Sequence, residues 1–310
     1  MKNKIQNIKI AAAQAAPVYL NKDATVKKAC HLIEEAAKGD ANLIVFPEAF
    51  IPGYPDWVWL IPNSRSKELN DLYVEMVKNA VSIGDGSIEQ LSKVAGENNI
   101  YVVIGINEIN KESSGGSLYN SLLYISEKGE VEGIHRKLIP TGGERLVWAR
   151  GDGSTLHTFE TSIGKLGGLI CWENYMPLAR QAMYDAGVQI LAAPTWDKSD
   201  NWLLSLRHIA REGGMFVIGS CMVLKMDDIP ERLNFKTLYP EGREWINTGK
   251  SCIINPKGEF IAGPVEGEEE IIYADIDLDE IIAAKRMFDV SGHYSRPDVF
   301  KYSVIKDPLK

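Results

Sequence analysis

Cysteine is scarce in this chain of 310 residues: Cys30, Cys171, Cys221 and Cys252 lie far apart, with no CxxC pair and no histidine at a metal-ligand spacing. That spacing argues against both a zinc site and a disulfide framework. No apolar run approaches the length of about 18 residues that a membrane helix needs. The opening Met1-Lys2-Asn3-Lys4 leads into a strand-like run rather than a signal h-region. Basic excess is lacking too: 34 Lys and Arg stand against 42 Asp and Glu, a net charge of -8 spread along the chain. Nucleic acid and anionic membranes are therefore not expected partners. With no Gly-, Ser- or Pro-rich linker and no repeat, residues 1–310 read as a single domain, soluble and cytoplasmic, that acts on small molecules.

What is present is a regular alternation. Ile8 to Gln14 reads as a strand, Lys22 to Lys38 as a helix with Asn21 as N-cap and Gly39 as its stop, and Leu43 to Phe46 as a second strand. A helix near Ser87 to Glu97 precedes strands at Tyr101 to Ile106, Leu118 to Ile125 and Val131 to Ile134. The second half repeats the pattern: strands Gly167 to Cys171, Val188 to Ala193 and Met215 to Cys221 alternate with helices Pro177 to Ala186 and Asn201 to Glu212. Strands Ser251 to Asn255 and Ile271 to Ile276 follow, then a short helix near Leu278 to Met287. Near-continuous apolar strands must be covered on both faces, so the expected architecture is two sheets face to face with helices outside, an α-β-β-α sandwich. Pro52 to Ser66, with three prolines and two tryptophans, and the charged stretch Lys225 to Trp245 are excursions suited to lining a pocket or joining subunits. Cys30, Cys221 and Cys252 fall on apolar faces and read as buried packing residues.

Cys171 closes the run Leu169-Ile170-Cys171 and precedes Trp172-Glu173-Asn174. A thiol where a strand turns into a helix meets backbone N–H groups that lower its pKa, which makes Cys171 the candidate nucleophile. Glu48 projects from the carboxyl end of a strand between Phe46 and Phe50, where desolvation raises a carboxyl toward the range of a general base. Lys137, in His135-Arg136-Lys137, supplies a fixed cation, and Glu144 and Arg145 are placed to pair with nearby charges. A nucleophile, a base and a cation together suit hydrolysis of an amide or a carbon–nitrogen multiple bond. Tyr54, Trp57, Trp59 and Trp196 are candidates to line the pocket.

These segments, in this order, resemble the nitrilase superfamily of carbon-nitrogen hydrolases. Cys171-Trp172-Glu173-Asn174-Tyr175-Met176-Pro177-Leu178, His135 to Thr141 with Glu144-Arg145, Gly151 to Ser154 and Gly292 to Val299 are similar to the true nitrilase branch. The resemblance spans about Ile8 to Phe300 and implies the same α-β-β-α fold. It implies Glu48 as base, Lys137 as stabiliser of the tetrahedral species, Cys171 as nucleophile and Glu144 as a second acid ordering the lysine or substrate. The Trp172 backbone N–H would complete the anion site. It further implies a nitrile substrate, no cofactor, and self-association into dimers and spirals, with residues 289–310 packing across a subunit interface. A cyanide hydratase or dihydratase, an aliphatic amidase and a non-catalytic scaffold are the alternatives. Ala149 stands where the family carries glycine, so the loop must adjust if that position needs a positive φ.

Overall fold

The computed structural model describes residues 8–111 and 114–308. In chain order it contains β1 (Ile8–Gln14), α1 (Lys22–Lys38), β2 (Leu43–Val45), α2 (Ser66–Lys78), α3 (Gly86–Asn98), β3 (Tyr101–Ile109), β4 (Leu118–Ile125) and β5 (Val131–Arg136). Then come β6 (Thr158–Thr161), β7 (Gly164–Gly168), α4 (Pro177–Asp185), β8 (Ile190–Ala192), α5 (Asp200–Gly213), β9 (Phe216–Gly219) and β10 (Val223–Lys225). The chain closes with β11 (Trp245–Ile254), β12 (Phe260–Glu266), β13 (Glu270–Ile276) and α6 (Asp279–Lys285).

One sheet has the order β13-β1-β2-β3-β4-β5 and the other β10-β11-β9-β8-β7-β6, with β12 paired to β11. Side-chain alternation along the strands sorts the core into three layers. Ile10, Ala12, Val45 and Val103 face Ile170, Ile190, Ala192 and Ile218 between the sheets. Ala11, Ile44 and Val102 point outward against Val26, Ala29 and Ile33 of α1 and Leu91 of α3. On the other outer face Leu191, Ala193 and Val217 meet Met183 of α4 and Trp202, Leu206 and Ile209 of α5. Each fully buried aliphatic side chain contributes roughly 1.5–3 kcal/mol, so all three layers resist the loss of either helix pair. This is the α-β-β-α sandwich that the strand pattern predicts.

Locally, Asn21 caps α1 by accepting from the Ala24 N–H at 3.1 Å, and Ser199 caps α5 in the same way through Trp202 N–H. The differences from expectation are physical. Helix α2 lies beyond the Pro52 to Ser66 excursion and has no counterpart among the expected elements, although Leu69, Leu72, Tyr73 and Met76 recur at helical spacing. Cys30 is only half-buried, at the edge of the stripe formed by Val26, Ala29 and Ile33. Ala149 carries no positive φ; its N–H donates to Leu118 O at 2.8 Å, so alanine fits that loop without strain. Among the described residues, no helix is long and apolar enough to cross a membrane.

Candidate active site

Four strands of the two sheets release the site residues at or just beyond their carboxyl ends, where ligand-facing groups of α/β sheets collect. Glu48 follows β2, Lys137 follows β5, Cys171 follows β7, and Thr195 and Trp196 follow β8. Strand β7 stops at Gly168, short of the expected Cys171, and what succeeds it is a single 3-10 turn over Cys171–Tyr175 rather than an α-helix. Cys171 itself holds φ at 51°. The Asn174 amide spans this elbow, donating to Leu169 O at 2.7 Å and Cys171 O at 3.0 Å.

Lys137 is the centre of charge. Its Nζ donates to Glu48 Oε1 at 2.7 Å and to Glu144 Oε2 at 2.8 Å, with all three side chains buried. Glu48 also accepts from Asn120 Nδ2 at 2.7 Å and from Trp196 N–H at 2.9 Å. Glu144 accepts from Tyr54 OH at 2.8 Å and from Thr141 N–H at 2.7 Å. Burial pushes the Glu48 carboxyl above its ordinary range, with Lys137 opposing and Glu144 adding to the rise. Burial disfavours the Lys137 ammonium, but Glu48, Cys171 and Glu144 outweigh it and hold the pKa above that of a free lysine.

The thiol departs from expectation. Burial, followed by the charge of Glu48, raises its pKa; Lys137 and the Thr195 hydroxyl, which donates to Sγ at 3.1 Å, only partly offset this. A five-residue 3-10 turn supplies too small a dipole to compete with loss of water. Burial thus disfavours the thiolate in the substrate-free site.

Cys171 and Glu144 reach a cavity of about 300 Å³ whose walls are Tyr54, Trp59, Trp172 and Trp196. Tyr54 and Trp196 stack with centroids 4.6 Å apart and 6° between planes. Trp196 Nε1 donates to Asp56 Oδ1 at 3.2 Å, and the Tyr239 hydroxyl of the second excursion donates to the other oxygen of the same carboxylate. Trp172 stands half-exposed at the mouth, with Nε1 donating to Asp197 Oδ2 at 2.7 Å. Trp57 is not in the wall; it is buried in the core. Asn120, Thr195 and Asp56 escaped the sequence reading because their partners lie 72, 24 and 140 residues away.

The carbon-nitrogen hydrolase family matches residues 9–286. The chain belongs to that family. This carbon-nitrogen hydrolase is 43% identical over 300 residues to the aliphatic nitrilase of Sinorhizobium fredii (strain HH103), covering 96% of each chain. It is 41% identical to nitrilase 2 of Arabidopsis thaliana, over 98% of this chain and 90% of the relative. The crystal structure of a carbon-nitrogen hydrolase from Helicobacter pylori G27 shares the fold with a TM-score of 0.71 at 22% identity, covering 94% of this chain and 97% of that one.

One glycine of this carbon-nitrogen hydrolase fixes the place of Glu48. A Cβ on Gly105 in β3 would lie 2.2 Å from Pro47 O and 2.5 Å from Ala49 N, so the Glu48 turn packs directly on that strand. Gly105→Ala is expected to lose about 1–3 kcal/mol of stability from overpacking and roughly 10²-fold in turnover from displacing the carboxylate. Thermal unfolding together with a rate assay on the folded protein checks both effects.

Proposed function

We propose that this enzyme hydrolyses organic nitriles to the carboxylic acid and ammonia through covalent intermediates on Cys171. The observation that carries the reading is the buried cluster in which Lys137 bridges Glu48 and Glu144, with Glu144 lining the same cavity as the Cys171 thiol. The relatives named nitrilases, aligned over nearly the whole chain, support a nitrile as the substrate.

In this mechanism Glu48 takes the Cys171 proton as the sulfur attacks the nitrile carbon, and passes it to the nitrogen to give a thioimidate. A first water, deprotonated by Glu48, adds to form a tetrahedral species whose charge Lys137 and the Trp172 N–H stabilise. Expulsion of ammonia leaves a thioester, which a second water hydrolyses to the acid and free thiol. Expulsion of the thiol instead releases the amide, so the acid-to-amide ratio depends on which leaving group is protonated. Glu144 fixes the Lys137 ammonium against Glu48. The cavity of about 300 Å³ and its aromatic walls suit a small apolar or single-ring substituent.

Four free thiols accord with a reducing compartment such as the cytoplasm. Exposed Tyr294, Val299, Phe300 and Ile305 in the C-terminal tail support self-association through residues 289–310, into dimers and longer spirals.

A nitrile and its matching amide, assayed side by side, test the reading. Ammonia and acid are expected from the nitrile, with the amide turned over far more slowly. Faster turnover of the amide would make the enzyme an amidase.

A further inference from the structure

The chemistry above leaves unused a second buried ion pair. Glu173 lies two residues after Cys171 and His135 two residues before Lys137, on segments belonging to opposite sheets. In the 3-10 turn the Glu173 side chain folds back, and each oxygen takes one backbone donor. Oε2 accepts from Ile170 N–H at 2.8 Å, immediately before Cys171. Oε1 accepts from Leu138 N–H at 2.8 Å, immediately after Lys137. His135 Nε2 reaches both oxygens, at 3.0 and 2.9 Å, while Nδ1 faces Thr155 O at 3.1 Å. Both ring nitrogens thus meet acceptors, which makes the ring an imidazolium. Burial opposes each charge, yet Glu173 holds the His135 pKa up, and His135 with the two backbone N–H groups holds the Glu173 pKa down.

A fold in need only of cohesion gains as much from an apolar pair as from a buried ion pair, since taking two charges out of water offsets their attraction. What an apolar pair cannot supply is two directed acceptors aimed at two particular backbone groups. We infer that Glu173, locked in place by His135, is a positioning residue that sets the Lys137 segment against the Cys171 segment across the gap between the sheets. Its kinetic consequence rests on the nitrile reading above. Neither side chain touches substrate; the pair acts through the chain on either side of the thiol and the ammonium. A misplacement of about 1 Å between such groups costs roughly 10²-fold in rate.

The test is Glu173→Gln, whose single amide oxygen serves one backbone donor while its NH₂ opposes the other. On the folded fraction, kcat for a nitrile is expected to fall about 10²-fold with KM within about twofold of wild type, as for an interaction felt only in the transition state. Alkylation of Cys171 by iodoacetamide, followed by peptide mass, is expected to slow in parallel. His135→Gln leaves both backbone anchors in place and is expected to lose only about tenfold; should Glu173→Gln not fold, the same two readouts on His135→Gln decide. Wild-type kcat and alkylation rate in the folded variant, or losses that merely track the unfolded fraction, overturn the inference. If the unaltered enzyme turns over no nitrile, the nitrile reading fails by itself, and the alkylation comparison still decides the role of Glu173.

Discussion

Lys137→Met is expected to leave the enzyme nearly inactive and to destabilise the protein at the same time. The ammonium is the only cation hydrogen-bonded to Glu48 and Glu144 among the described residues, and all three side chains are buried. Removing one partner of a buried ion cluster costs about 3–5 kcal/mol, because the remaining charges keep their desolvation penalty without its compensation. Loss of transition-state charge stabilisation adds a fall of roughly 10²–10³-fold in kcat. The stability loss carries a pH signature. Glu48 already has a raised pKa from burial, with Lys137 restraining it; without the lysine it rises further. A carboxyl with a folded pKa above its unfolded value binds more protons when folded, so its stability falls as pH rises from the unfolded pKa through the folded one. The deficit against wild type should therefore be larger near about pH 8 than near about pH 5. Melting curves at the two pH values check this, and a constant deficit would contradict the buried-charge account.

Cys171→Ala separates chemistry from fold. The substitution removes one sulfur and leaves the backbone at φ 51° in the same conformation, since alanine and cysteine share a Cβ. Stability should change little, while turnover is expected to drop on the order of a millionfold, as when the nucleophile of a concerted triad is deleted. Acid-quenched wild-type enzyme should carry the acyl mass of its substrate on the peptide containing Cys171, and the variant should carry none. Cys30→Ala, on the partly buried edge of α1, serves as the control and keeps the wild-type rate. Ammonia release by the Cys171 variant at the wild-type rate would remove the covalent mechanism.

Much of the layered fold was legible because its strands are apolar on both faces and its helices carry clear starts and stops, as at Asn21 and Gly39. Strand β12 was not, since Phe260–Glu266 is half-exposed throughout, includes Pro264 and has an irregular register against β11. Strand β6 was missed and β7 was placed three residues too late for a related reason: Gly164–Gly168 contains three glycines and little apolar periodicity. Within the site, Glu48, Lys137 and Cys171 could be picked out by their combination and by the family resemblance, the local signal at Glu48 and Lys137 being weak. What supports them could not. The Asn120 amide on Glu48, the Thr195 hydroxyl on Cys171 and the Glu173 bridge to Leu138 are contacts between distant segments, visible only once the strand ends meet. The upward pull on the Cys171 pKa was also hidden, because it depends on how completely water is removed.

The burial that opposes ionisation of Cys171 bears on its oxidation. Peroxide attacks thiolates, so a sulfur kept neutral is slow to form sulfenic acid. A sulfur that gave up its proton only on adding to a bound substrate would stay latent between turnovers, spared the irreversible damage that a permanently ionised thiol accumulates.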